Sequence, residues 1–186
     1  MRACTTVIAA LFVACAAASP LGAQGVAPPE RLDDLYAQLA DPANPDWRRV
    51  QADILREWSR SGSPAMDLLL KRGREAIEAG DLLAAIEHLT ALTDHAPDFA
   101  EGWNARATAY YLAGRFGPSI ADIRRTLALN PHHFGALAGL GMIFEQIGEP
   151  ERALEVYRAA RSIHPHQEAV IQAIRRLELA TAGTEL

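Results

Sequence analysis

Lysine is almost missing from this chain: Lys71 is its only one, and arginine carries the rest of the positive charge. Arginine stays charged and bonds through a planar fork, so the cations present suit carboxylate pairing more than mobile point attraction. The formal net charge is -5. There is no basic stripe to follow a phosphate backbone, and the sign of the charge is wrong for one, so nucleic acid is not expected as a partner. Cysteine is scarce as well. Both cysteines, Cys4 and Cys15, lie near the N-terminus, in a stretch that reads as a removable leader, so no disulfide or thiolate metal site is expected in the mature protein. Also missing are a P-loop, a glycine-rich dinucleotide fingerprint, a His-Glu-x-x-His pair and a Gly-x-Ser-x-Gly elbow. Nucleotide, zinc-protease and serine-hydrolase chemistries are therefore without their usual carriers. The reading is of a non-enzyme, with no cofactor and no small-molecule substrate expected.

The leader is residues 1–23. Arg2 supplies a positive start, Val7 to Ala18 is small or apolar throughout, and Pro20 precedes Leu21-Gly22-Ala23. That order is the pattern of a secretory signal, with cleavage expected after Ala23 and Ala16-Ala17-Ala18 as the second choice. The apolar run is well short of the roughly 18 residues that a bilayer span needs. Val13-Ala14-Cys15 is a distant likeness to a lipoprotein processing site. Phe12 stands where such sites carry leucine, so Cys15 reads as a small apolar residue of the signal, and its lipidation is the one membrane attachment left open. The expected location is exported, periplasmic.

What the chain does have is a period. Pro97, Pro131 and Pro165 recur at an interval of 34 residues, and so do Gly80, Gly114 and Gly148. Units 66–99, 100–133 and 134–167 align further columns. Position 8 is small (Gly73, Ala107, Gly141), as is position 20 (Ala85, Ser119, Ala153), and position 24 is large (Leu89, Ile123, Tyr157). Small residues let two antiparallel helices approach and the large one fills the groove beside them. The glycine ends the first helix in a left-handed residue, and the proline stops the second.

These columns resemble the tetratricopeptide repeat (TPR). Trp103 and Tyr110 match its aromatic pair in the second unit; Leu140-Gly141 and Phe144 match in the third. Arg72 and Arg106 depart at position 7, where leucine is usual, and Ala76 departs at position 11. The resemblance implies an all-α solenoid of antiparallel helical hairpins, and more narrowly a small exported TPR protein of a Gram-negative envelope.

The flanks read independently of the repeats. Leu32, Leu35, Tyr36 and Leu39 share one helix face within Pro29 to Ala40, ended by Asp41-Pro42. Asn44-Pro45 is read as a cap with proline at the first helical position, opening a helix whose face carries Trp47, Val50, Ile54, Leu55 and Trp58. Residues 24–62 are thus a tail and a helical hairpin, taken as an N-terminal cap or degenerate repeat. The repeat domain is 63–186, closed by a capping helix at 168–180 with Val170, Ala173, Ile174 and Leu177 inward.

Candidate chemistry is sparse. Asp33-Asp34 sits in a first helical turn, where negative charge offsets the dipole, and Ser61-Gly62-Ser63 is a helix junction. His132, His133, His164 and His166 lie in neighbouring repeat turns, and a metal-binding module built on them is the alternative reading; a subunit of an obligate envelope complex is another. His88 and His95 are expected in solvent. The resemblance implies a concave groove lined by positions 2, 5, 6, 9, 12 and 13 of each unit. Its site candidates are Lys71 and Arg74 for a carboxylate, Asn104 for a peptide backbone, Thr108 as a further groove-lining residue, Tyr111 as an aromatic anchor, and Met142 beneath the bare stretch Gly135, Ala138, Gly139. The partner is expected to be a peptide or helix of another protein. Some TPR domains clamp the C-terminal carboxylate of heat-shock chaperones, but Leu70, Arg74 and Ala105 stand at that clamp's positions, so this activity is not implied.

Overall fold

The structure, a computed structural model, describes residues 29–182. The leader, both cysteines and the cleavage site fall outside the described residues. Among the described residues nine helices follow one another: α1 (Pro29–Ala40), α2 (Trp47–Trp58), α3 (Pro64–Glu78), α4 (Leu82–His95), α5 (Ala100–Leu112), α6 (Phe116–Leu129), α7 (Phe134–Gln146), α8 (Pro150–Ile163) and α9 (Glu168–Ala182). There is no strand among the described residues. The pairs α3–α4, α5–α6 and α7–α8 are the three repeats, each packed on the next, and α9 closes the array against α8. The capping helix runs two residues beyond its expected end.

The periodic residues act as their spacing requires. Gly80, Gly114 and Gly148 have φ of 77°, 69° and 78°. Each sits one residue past a helix C-cap in a Schellman turn. At the first, Gly80 N–H donates to the Ile77 carbonyl and Asp81 N–H to that of Ala76, at 3.0 and 2.9 Å. Ala85, Ser119 and Ala153 are fully buried, as is Leu89. A Cβ on Gly73 would lie 2.5 Å from Leu89, and one on Gly141 would lie 2.5 Å from the Tyr157 ring. The second repeat reaches the same fit differently. It pairs Ala107 with the slimmer Ile123, and Ser119 Oγ donates to the Ala107 carbonyl at 2.8 Å.

The Arg106 departure also has its reason. Its guanidinium forks onto Asp122 at 2.7 and 2.9 Å, donates to Thr93 Oγ1 at 2.8 Å and lies 4.8 Å from the Trp103 ring centre. An ionic bridge inside repeat 2, tied to repeat 1 through Thr93, replaces an apolar contact, with the Asp122 side chain only 7% exposed.

Two expectations need correction. Asn44 does not cap α2; its side chain accepts from Asp46 N–H and donates to the Gln38 carbonyl, so it shapes the turn while Asp46 takes the cap position. More consequentially, the α1–α2 hairpin does not stack in front of the first repeat as a cap. It folds back along the edge formed by the inter-repeat turns and reaches α8. Its own core of Leu35, Leu39, Val50, Ile54 and Trp58 takes in Phe134 and Ile163 from the far repeats. The hairpin buries its apolar face there because those turns present rings to its aromatic residues, whereas the exposed start of α3 does not.

Candidate functional site

The four turn histidines are where the hairpin docks. His132 stacks on Tyr36 with ring centres 4.6 Å apart, His133 on Trp58 at 4.2 Å, and His166 on Trp47 at 4.9 Å. His164 meets the Trp47 edge at 5.6 Å and bonds Gln51 Oε1 through Nε2 at 2.9 Å. His166 Nε2 donates to the Asp41 carbonyl at 3.0 Å. The imidazoles are thus spread along a seam, each with a partner in the hairpin. Among the described residues no group of three or more His, Cys, Asp or Glu is arranged to hold a metal ion. The arrangement gives these histidines a structural role: Nε2 of His133, His164 and His166 each already hydrogen-bonds within the protein. Burial, and then the charge of His166, pushes the His164 imidazole down to about 4. His88, expected in solvent, is half-buried, while His95 is exposed.

Below this seam lies a buried ionic cluster that the sequence did not announce. Glu101, in the first turn of α5, receives His133 Nε2–H at 2.8 Å and the Arg74 guanidinium. His133 Nδ1 accepts from Ala136 N–H at 3.0 Å and so caps α7. With Nδ1 accepting, Nε2 carries the proton given to Glu101. Burial alone would raise the Glu101 carboxyl, but the His133 ring and the Arg74 guanidinium more than offset it and hold the group below the ordinary carboxylate range. Arg74 also donates to Ser59 Oγ at 3.1 Å, tying α3 to the end of the hairpin.

This changes the expected groove. Arg74 is committed to Glu101 and Ser59, and Lys71 lies 3.7 Å from Glu75. Both line a shallow basin of about 440 Å³ together with Asp67, Glu75 and Glu78. The N-terminal wall is therefore not a free basic pair awaiting a carboxylate.

The other four candidates come together. Asn104, Thr108, Tyr111 and Met142 line one cavity of about 280 Å³ between α5 and α7, with Leu112, Gly135, Ala138, Gly139 and Ile143 among the remaining walls. Leu112 and Met142 are 51% and 44% exposed, so its mouth is apolar and open to solvent. Thr108 Oγ1 donates to the Asn104 carbonyl at 3.1 Å, and Asn104 Nδ2 lies 3.4 Å from the Glu101 carboxylate. Gln146 Nε2 donates to Tyr111 Oη at 2.6 Å. Tyr111, Ala138 and Met142 also border a second hollow of about 400 Å³ that extends the groove to α9. There Glu145 accepts from Tyr157 Oη at 2.8 Å and from Arg176 at 2.5 Å. Burial and then Glu145 push the Tyr157 phenol up, and Glu145 also raises Arg176.

Comparisons with known proteins agree with this architecture. The family model described as tetratricopeptide repeat matches residues 70–120 and 113–168. A TPR repeat-containing protein of Rhizobium etli is 34% identical over 157 residues, which is 84% of this chain and 77% of that protein. Among solved structures, the first TPR domain of Spaghetti bound to an Hsp90 peptide superposes with a TM-score of 0.62 at 22% identity, covering 64% of this chain and 95% of that one. The Sgt2 TPR domain of Aspergillus fumigatus gives 0.62 at 19% identity, covering 66% and 83%.

Proposed function

The chain belongs to the tetratricopeptide-repeat family, and from that premise we propose that it is a non-enzymatic scaffold whose concave groove holds a segment of a protein partner in the bacterial envelope. One observation carries the reading: an open, apolar cavity between α5 and α7, with Leu112 and Met142 at its mouth and hydrogen-bonding side chains Asn104 and Thr108 on its wall. An apolar recess takes a side chain, and flanking amide and hydroxyl groups satisfy the backbone of the segment that carries it. The solved Spaghetti domain, bound to an Hsp90 peptide, illustrates the mode for another protein of this fold.

The envelope location rests on the leader at residues 1–23. Mass spectrometry of the protein purified from an expressing Gram-negative cell should find a mature chain starting at Gln24 in the periplasmic fraction. A chain retaining Met1 in the cytosol would refute that location. For the groove, partner capture from envelope extracts should weaken strongly with Tyr111→Ala and with Gly139→Leu. Recovery of the same partner at the same yield by both variants would remove the groove as the site.

A further inference from the structure

The groove's walls specify the chemistry of what it holds, and this inference rests on the groove reading above. Two kinds of glycine occur in the first helices of the repeats. Gly73 and Gly141 are demanded by packing, since a Cβ on either would collide with Leu89 or Tyr157. Gly139 is not. A Cβ there would find Ile123 Cδ1 as its nearest neighbour, 4.0 Å away, and one on Gly135 would meet only the His133 ring, no nearer than 3.5 Å. A mid-helix glycine costs about 1 kcal/mol relative to alanine. At Gly139 no close approach within the fold offsets that cost, and the space it leaves is the cavity floor.

The 34-residue register then places equivalent residues side by side on α3, α5 and α7, which pack in succession. Glu78, Leu112 and Gln146 form one such row, and Arg74, Thr108 and Met142 another. The register sets Glu78 in the row of Leu112; Glu78 is exposed, lines the α3 basin and makes no ion pair among the described residues. Of the other charges on that wall, Asp67 accepts from Ser61, Lys71 faces Glu75 and Arg74 is paired with Glu101. The α3 wall is therefore net acidic, and the cavity next to it is apolar.

We propose that the groove selects an extended segment in which a bulky aliphatic residue and a lysine or arginine stand four residues apart. The aliphatic side chain enters the cavity over Gly139, and the cation meets Glu78. The spacing follows from geometry. Neighbouring helices lie about 8–10 Å apart and the cavity lies between α5 and α7, so α3 is about one and a half spacings away; four residues of extended chain span about 13 Å and bring the side chain back to the same face. This is opposite in charge to the acidic peptide SRMEEVD held by the Spaghetti domain.

The test is selection of a random-peptide phage library on the full chain, followed by fluorescence anisotropy of the enriched peptides as synthetic probes. The expected motif is aliphatic-x-x-x-basic. Gly139→Leu, and independently the exposed Leu112→Gln, should weaken binding about tenfold or more, with circular dichroism showing both folded. Glu78→Lys should invert the preference toward acidic peptides. Peptides that need the cavity yet carry Asp or Glu at that spacing, or that ignore Glu78→Lys, overturn the charge rule and leave the groove reading standing. A dimer dissolved by Gly139→Leu makes a second copy the occupant and overturns it too. Enriched peptides indifferent to Gly139→Leu, Leu112→Gln and Tyr111→Ala, or no enrichment at all, overturn both readings.

Discussion

At the residue scale, the same amino acid serves opposite ends. Gly141 allows Tyr157 to lie against α7, with 2.5 Å available where a Cβ would go. Gly141→Ala should therefore destabilise the protein by about 1–3 kcal/mol through overpacking. Gly139→Ala should stabilise it by up to about 1 kcal/mol through helix propensity alone. Urea denaturation of the two variants should move the midpoint in opposite directions. Arg106 makes a similar point about the family pattern. Arg106→Leu restores the usual residue at that position, but it strands the buried Asp122 carboxylate, which accepts both arms of the guanidinium. The expected cost is roughly 3 kcal/mol, largely recovered in the double variant Arg106→Leu with Asp122→Leu, because an apolar pair of similar bulk removes the unpaired charge. A double-mutant cycle by thermal unfolding reads this directly.

At the scale of elements, the decisive feature is the α1–α2 hairpin and the seam that holds it. Trp58 stacks on His133, tilts against Phe134 and donates its indole N–H to Tyr36 Oη at 2.8 Å. Trp58→Ala should cost about 3 kcal/mol at that seam. Hydrogen exchange should show protection lost in 29–58 while α3 to α9 keep theirs, since each repeat retains its own core. The seam should also respond to acid. His164 is buried among Trp47, Phe134, Gln51, His166 and Gln167, with Nδ1 lacking a partner among the described residues, and its pKa is about 4 when folded. The unfolded or undocked ring titrates near 6.5, so between these values the open state binds the extra proton. Docking is then fully present above about pH 6.5 and is lost progressively as pH falls toward 4. Tryptophan fluorescence followed from about pH 7 to about pH 4 should report this transition, and His164→Phe should flatten it. An unchanged profile in that variant would place the acid response elsewhere.

At the scale of the molecule, the hairpin and the groove are coupled through Arg74, which bonds Ser59 at the end of the hairpin segment and Glu101 at the head of α5. The array is thus braced along one edge, while its concave face stays open from the acidic wall of α3 to the ionic couple of Glu145 and Arg176. Much of this was legible in advance. The glycine and proline periods specify helix ends through backbone conformation, a local matter, so the three repeats and the closing helix could be read residue by residue. The cavity candidates Asn104, Thr108, Tyr111 and Met142 were legible for a related reason: a fixed repeat register puts fixed positions on one face. Lys71 and Arg74 were misjudged because their charge is visible in sequence and their neutralising partners are not. Arg74 meets Glu101 across 27 residues, and His133 meets the same carboxylate across 32.

The helical hairpin array is written locally along the chain, because period, caps and small-to-large columns each act within one or two helices. The place of the non-repeating hairpin, by contrast, depends on long-range packing. Gln51 and His164 are 113 residues apart, and Asp41 and His166 are 125 apart. No local pattern links them. The hairpin's amphipathic face could have been buried against any apolar surface, and it took the turn edge because four imidazoles and Phe134 there match its aromatic rings. That choice made the turn histidines a docking seam, while Glu75 and Glu101 occupy the two cations, Lys71 and Arg74, expected to await a carboxylate.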